Sequence, residues 1–258
     1  MEEKMIKYPR TPHIEGSRLG VGDEDIPRVA FERIRGVQLA LEEKVDGANS
    51  GISFSEDGRL LLQSRGHFLR GGGREEQFAL FKLWASSKQS ELYSILGSRY
   101  IMYGEWMYAK HAIFYDALPH YFMEFDIYDK RERVFLDTDT RRKMLAESSI
   151  ISAPTLYQGR LSSIDELLSY IGPSPFISEH AGQRLREELI SLGLSPDNPA
   201  YQAPRDNLIE GIYIKLEEGG EVIDRMKYVR GGFTQVQLSE ERSRVIVKNL
   251  LKEGVSLF

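Results

Sequence analysis

Residues 43–49 read Glu43-Lys44-Val45-Asp46-Gly47-Ala48-Asn49, and they close a run, Val37-Gln-Leu-Ala-Leu-Glu-Glu-Lys44, whose apolar residues predict a strand. Asp46-Gly47 is turn chemistry, so the lysine stands at the mouth of that strand. A lysine becomes a nucleophile only where burial or neighbouring cations lower its pKa. Taken alone, the heptad fits a surface lysine beside a β-turn equally well. The residues around it have to decide.

Outward from that turn, strands are predicted toward both ends of the chain. Residues 50–54 and 59–64 flank Ser55-Glu-Asp-Gly58, a hairpin signal. Residues 100–106, 121–128, 209–216 and 222–229 are also strand-like, the last two turning at Glu218-Gly-Gly220. Helices are predicted over 75–96, 138–149, 163–172, 179–192 and 238–252, the third opened by the capping box Ser163-Ile-Asp-Glu166. Residues 194–207 hold three prolines and read as a loop. Strands at both ends with helices between them predict one α+β domain.

Composition removes several classes of chemistry. The 258 residues contain no cysteine, which excludes a disulfide framework, a cysteine zinc knuckle, an iron–sulfur cluster and a thiol nucleophile. No apolar run is long enough to span a bilayer, and MEEKMIKYPR lacks the apolar middle of a secretion signal, so no membrane partner and a cytoplasmic location are expected. A net charge of -5 argues against coating nucleic acid by bulk charge. Two local basic clusters remain, Arg59, Arg65, Arg70 and Arg74, then Lys130, Arg131, Arg133, Arg141, Arg142 and Lys143, which a solvated face would also explain. The five histidines show no metal-ligand spacing, and Gly71-Gly-Gly73 is not followed by the Gly-Lys-Ser/Thr of a phosphate loop.

Four further short motifs follow Lys44 in order: Gly104-Glu105-Trp106, Phe125-Asp126, Glu210-Gly-Ile-Tyr-Ile-Lys215 and Arg225-Met-Lys227, with Arg65 between the Lys44 motif and Gly104. With KxDGxN, this series resembles the covalent nucleotidyltransferase superfamily of ATP-dependent RNA ligases, DNA ligases and capping enzymes. Within it the likeness is greatest to the RNA ligase 2-like family, and it covers roughly residues 39–233. The resemblance implies an ATP-grasp-like adenylyltransferase core: two antiparallel sheets with flanking helices around a nucleotide pocket, Lys44 at its floor, and no OB-fold. It divides the chain into a nucleotidyltransferase domain, 1–234, and a short helical tail, 235–258.

The implied activity is ATP-dependent joining of RNA 5′-phosphate and 3′-hydroxyl ends. Lys44 would take AMP from ATP, pass it to the 5′-phosphate, and release it when the 3′-hydroxyl attacks. Lys215 and Lys227 would hold phosphate oxygens and help to keep Lys44 deprotonated. Glu105 and Glu210, with Asp46, would gather Mg²⁺ (or Mn²⁺), and Phe125 would stack on adenine. Asp46, Asn49 and Arg65 would fix the ribose, the metal waters and the 5′ end, with Glu43 counted in the nucleotide-binding set. The family's fifth motif carries two lysines, and here Arg225 or Arg230 would have to serve beside Lys227. Few residues follow Phe233, so the chain resembles a minimal core that grips its substrate unaided, takes a C-terminal domain from a partner protein, or seals weakly while still adenylylating itself. A minimal DNA ligase, a 5′-end adenylyltransferase and a non-catalytic nucleic-acid-binding module are the competing readings.

Overall fold

A computed structural model describes residues 4–20, 23, 25–231 and 245–258. Its longer strands are β3 (Gln38–Lys44), β4 (Ala48–Phe54), β5 (Leu60–Ser64), β6 (Tyr100–Trp106), β7 (Phe122–Asp129), β10 (Thr155–Arg160), β11 (Gly211–Glu218) and β12 (Glu221–Val229). Short strands β1 (His13–Ile14), β2 (Arg28–Val29), β8 (Val134–Leu136) and β9 (Ile151–Ser152) complete the sheet. The helices are α1 (Ala79–Ser87), α2 (Gln89–Leu96), α3 (Thr138–Leu145), α4 (Ile164–Leu168) and α5 (Ala181–Ser191).

The sheet has two wings. One runs β10-β3-β11-β12 and the other β7-β6-β4-β5, antiparallel throughout. Two separate sheets were expected; instead one hydrogen-bonded path joins them. The three-residue β8 pairs with β12 through Phe135 and Leu136 and with β7 through Val134 and Phe135. Side chains alternate along a strand, so each wing offers one apolar face and one mixed face. The first wing packs Leu39, Leu41, Ile212, Ile214 and Met226 against Phe31, Ile34, Leu161 and Leu167. The second packs Ile52, Phe54, Met102, Trp106 and Phe122 against Phe81, Trp84, Leu92 and Leu96. The two remaining faces meet across a small aromatic seam of Tyr8, Tyr103, Phe125 and Ala153. Above that seam a cleft opens.

Three local departures have physical causes. The helix expected over 75–96 is a 3-10 turn, Gly73–Phe78, followed by α1 and α2, which break at Lys88 (φ -96°, ψ 10°) and stop at Gly97 with φ 48°. Arg141, read as part of a solvated basic face, is 1% exposed: the Asp137 cap starts α3 so that Arg141 turns inward between two acids. The closing helix expected over 238–252 is not helical over 245–252, and 238–244 lie outside the described residues. There the backbone bonds in trans to the 107–118 segment, with Asn249 N donating to Tyr108 O and Leu250 N to Tyr115 O. Asn249 is fully buried, donating Nδ2 to Met107 O at 2.7 Å and accepting from Tyr115 N at 3.0 Å. An unmatched buried amide costs about 1–3 kcal/mol, enough to outweigh the helix propensity of so short a segment.

Candidate active site

Lys44 is the last residue of β3, and residues paired directly across strands share a face. Lys44 pairs with Gly211, Glu42 with Tyr213, and Tyr213 with Lys227, so the mixed face of the first wing carries Glu42, Lys44, Tyr213 and Lys227 together. On the opposite wing Asn49 pairs with Glu105. All six line one cleft of about 660 Å³, together with Asp46, Arg65, Phe125 and Glu210. The strand pairing at Lys44 admits only glycine: a Cβ on Gly211 would stand 1.9 Å from the Tyr228 carbonyl oxygen. Gly47 is constrained too, its Cβ position 2.8 Å from Met107 Sδ and 3.0 Å from the Trp106 carbonyl.

The electrostatics of Lys44 run against the sequence expectation. Its Nζ donates to Glu210 Oε2 at 2.5 Å, and its side chain is 23% exposed. Burial alone favours the neutral amine, yet Glu210, Asp46 and Glu105 outweigh it and push Lys44 up to about 12. One ammonium among three carboxylates leaves negative charge in excess, and burial makes that excess costly. Burial accordingly pushes Glu105 up to about 8 and Glu210 up to about 7, against the pull of Lys44. Glu105 Oε2 is buried without a hydrogen-bond partner. Surplus acid and an orphaned oxygen fit a divalent cation. Among the described residues no group of three or more metal-ligating side chains stands preassembled, so water and substrate oxygens would complete its shell, as suits Mg²⁺.

Asp46 braces the loop over the cleft. Its Oδ2 accepts from Ala112 N at 2.7 Å and Ile113 N at 2.8 Å, while its own N–H donates to Tyr115 Oη at 3.0 Å. That loop is in turn held by Asn249, so the tail supports the turn after Lys44 at one remove. Phe125 is the bulged residue of β7, skipped where Tyr103 pairs with Asp126 and Gly104 with Glu124. Its ring lies 5.1 Å from Tyr8 and 6.1 Å from Tyr213 while still lining the cleft. Arg65 is exposed at the rim.

Other expected residues sit elsewhere. Lys215 shares the face of Lys44 but lies deeper, fully buried, its Nζ bonded to Glu42 at 2.7 Å and to the Phe125 carbonyl, and 3.1 Å from Asp126. It does not line the cleft, and its Nζ is engaged by those acids instead. Arg141 spans Glu42 and Glu124, making this a charge-matched seam between the wings. Arg225 belongs to the same seam, its guanidinium 3.8 Å over the Phe135 ring and 4.0 Å from Asp126. Arg230 forks onto Asp206 at 2.5 and 3.0 Å, away from the cleft. Lys227 is therefore the member of the fifth motif that faces the cleft. Glu43 is among the residues that line the cleft, but its carboxylate turns to the opposite face of β3, where one oxygen accepts from Ser174 Oγ at 2.6 Å. Burial pushes it up to about 7.

The N-terminal segment supplies residues that no motif announced. Tyr8, Thr11, His13, Arg18 and Asp23 close one side of the cleft. Asp23 Oδ2 accepts from Lys227 Nζ at 2.6 Å and lies 3.0 Å from His13 Nε2. Glu42 and Tyr213 were within reach of sequence, because each is two residues from a motif lysine on a strand of period two.

One cleft thus holds an acid-ringed lysine at a strand end, the aromatic bulge of β7 and, on β12, a second lysine. The RNA ligase family profile matches residues 37–229, and the chain belongs to the RNA ligase family. A search of curated proteins finds no match. Among solved structures, it is similar to a glutamate-to-alanine variant of Naegleria gruberi RNA ligase with ATP and Mn, at TM-score 0.53 and 14% identity, covering 88% of this chain and 56% of that one. A lysine-to-methionine variant of that ligase with AMP and Mn gives TM-score 0.52 and 14% identity, covering 78% and 52%. A lysine-to-alanine variant with ATP and Mn gives 0.50 and 15%, covering 78% and 51%. The chain thus spans little more than half the length of these ligases, and the likeness establishes a shared fold. Among the described residues no helix is long and apolar enough to cross a membrane.

Proposed function

We propose that this chain is an ATP-dependent RNA ligase that joins 5′-phosphate and 3′-hydroxyl ends through a lysyl-AMP intermediate. The observation that carries the reading is Lys44 Nζ, set at a strand end in the cleft, 2.5 Å from Glu210 and within the field of Glu105 and Asp46. Family membership and the nucleotide-bound neighbours support it.

In the first step Lys44 Nζ forms a bond to the α-phosphorus of ATP as the bond to the bridging oxygen breaks. Lys44 loses one proton to become the attacking amine and a second as the N–P bond forms, both passing to solvent, pyrophosphate leaves, and a phosphoramidate remains. The bound AMP then moves to a 5′-phosphate oxygen, freeing Lys44, and the 3′-hydroxyl displaces AMP to make the phosphodiester. Each is an in-line displacement that depends on positioning and charge neutralisation. Lys227 meets the phosphates from the facing strand, Phe125 offers its ring to the base, and Asp46 keeps the 112–113 amides in place. A divalent cation held by Glu105 and Glu210 would neutralise the carboxylates that keep Lys44 protonated and so favour the attacking amine.

Nicked duplexes ending in a 3′ ribose or a 3′ deoxyribose, each with a 5′-phosphate, test the substrate class. Sealing of the ribose-ended nick at least tenfold faster is expected. Equal or faster sealing of the deoxyribose end would make it a DNA ligase, and adenylylated 5′ ends that accumulate unsealed would make it a 5′-end adenylyltransferase.

A further inference from the structure

Lys227 does not stand alone at the cleft wall; it ends a chain of hydrogen bonds that starts in the backbone of its own strand. Val229 N donates to Ser17 Oγ at 2.9 Å. Ser17 Oγ, which accepts from Val229, lies 2.7 Å from His13 Nδ1. The Asp23 carboxylate, whose Oδ2 lies 3.0 Å from Nε2, can only accept, so Nε2 carries the hydrogen, and in the neutral ring Nδ1 then accepts from Ser17 Oγ. The same carboxylate oxygen accepts from Lys227 Nζ at 2.6 Å. His13 is fully buried, Ser17 is 2% exposed, and the Lys227 and Asp23 side chains are 12% and 16% exposed. β1 fixes the origin of the chain, because His13 pairs with Lys227 itself. Arg10 approaches the other oxygen of Asp23 at 3.7 Å.

We propose that Ser17, His13 and Asp23 form a positioning relay for Lys227, holding its ammonium by one N–H so that the other two point into the cleft. It rests on the ligase reading above, in which Lys227 meets the phosphates. An ammonium on four rotatable bonds has no preferred aim, and a half-buried carboxylate anchored by a rigid ring gives it one. Burial lowers the His13 pKa, which keeps the ring neutral and the donor pattern intact. Asp23 is held down to about 2: burial works against this, but the His13 and Lys227 bonds prevail, so it is a carboxylate at any working pH. His13, Ser17 and Asp23 touch no reacting atom; they act through Lys227.

The test is single-turnover lysine adenylylation by the full chain with α-labelled ATP, over a range of ATP concentrations. His13→Leu and Asp23→Asn should each lower the limiting rate on the order of 10- to 100-fold, the loss of one charge-assisted bond, with the half-saturating ATP changed less than about threefold. His13→Gln, whose amide N–H can replace Nε2–H, should restore the rate to within about threefold of wild type, which a merely structural histidine would not allow. Limiting rates within about twofold of wild type, or a change confined to ATP affinity, would overturn the relay. A measurement independent of activity accompanies it: ¹⁵N imidazole spectra of wild type, with His13→Gln to assign the signal. The Nε2–H tautomer at pH 7.5 supports the relay; the Nδ1–H tautomer or an imidazolium overturns it. Absence of lysyl-AMP in wild type would fail the ligase reading while leaving this spectrum to decide the relay.

Discussion

Replacing Glu43 with Gln isolates what it costs to bury an acid on the strand that ends at Lys44. Glu43 is 2% exposed; one oxygen accepts from Ser174 and the other has no partner. Burial raises its pKa from an ordinary 4.5 to about 7. The native state therefore holds this proton more tightly than the unfolded chain, and stability falls as pH rises from about 4.5 until it passes about 7. At roughly 1.4 kcal/mol per pH unit, the full loss is about 3 kcal/mol. Glutamine keeps the shape and the acceptor without the charge, so Glu43→Gln should match wild type near pH 4.5 and exceed it by about 3 kcal/mol at pH 8. Glu105 and Glu210 titrate in both proteins and cancel from the difference. Urea unfolding at the two pH values, with m unchanged, measures it. A stability difference independent of pH, or a less stable variant at pH 8, would refute the reasoning.

Two further substitutions test the site's construction. Gly211→Ala places a methyl 1.9 Å from the Tyr228 carbonyl, so β11 and β12 must part at Lys44; a destabilisation of at least about 4 kcal/mol is expected, and a melting temperature near wild type would contradict the pairing. Phe125→Ala empties a 9%-exposed ring position in the cleft. It should cost about 3 kcal/mol of stability and raise half-saturating ATP roughly tenfold through lost stacking. Lysyl-AMP should still form at high ATP; unchanged ATP dependence would remove Phe125 from the base site.

How much of this was readable beforehand depended on range. The strand ending at Lys44, the hairpin after it and the final strand pair follow from period-two alternation and turn residues, and each lies within a residue or two of where the sequence puts it. The capping box at Ser163 likewise marks α4, with Ser163 Oγ accepting from Glu166 N at 3.1 Å. What escaped was long-range. Arg141 reads as one more basic residue until α3 turns it between Glu42 and Glu124, acids from different wings. The 245–252 segment has helical spacing, yet Asn249 finds its partners 134 to 142 residues away. Lys215 looks like a phosphate ligand from its motif, and only the meeting of β11 with β7 ties it to Asp126. The N-terminal segment has no periodicity at all, so His13 and Asp23 became visible only once β1 lay beside β12.

The account stands or falls on Lys44 as the nucleophile. The direct measurement is incubation with ATP labelled at the α-phosphate and Mg²⁺, followed by denaturing electrophoresis and intact mass, with Lys44→Ala alongside. The account predicts one covalently bound AMP on the wild-type chain, either formed in the assay or carried from purification, discharged by pyrophosphate and absent from the variant. Label retained by Lys44→Ala, or a wild-type protein that neither holds nor acquires AMP, would contradict it.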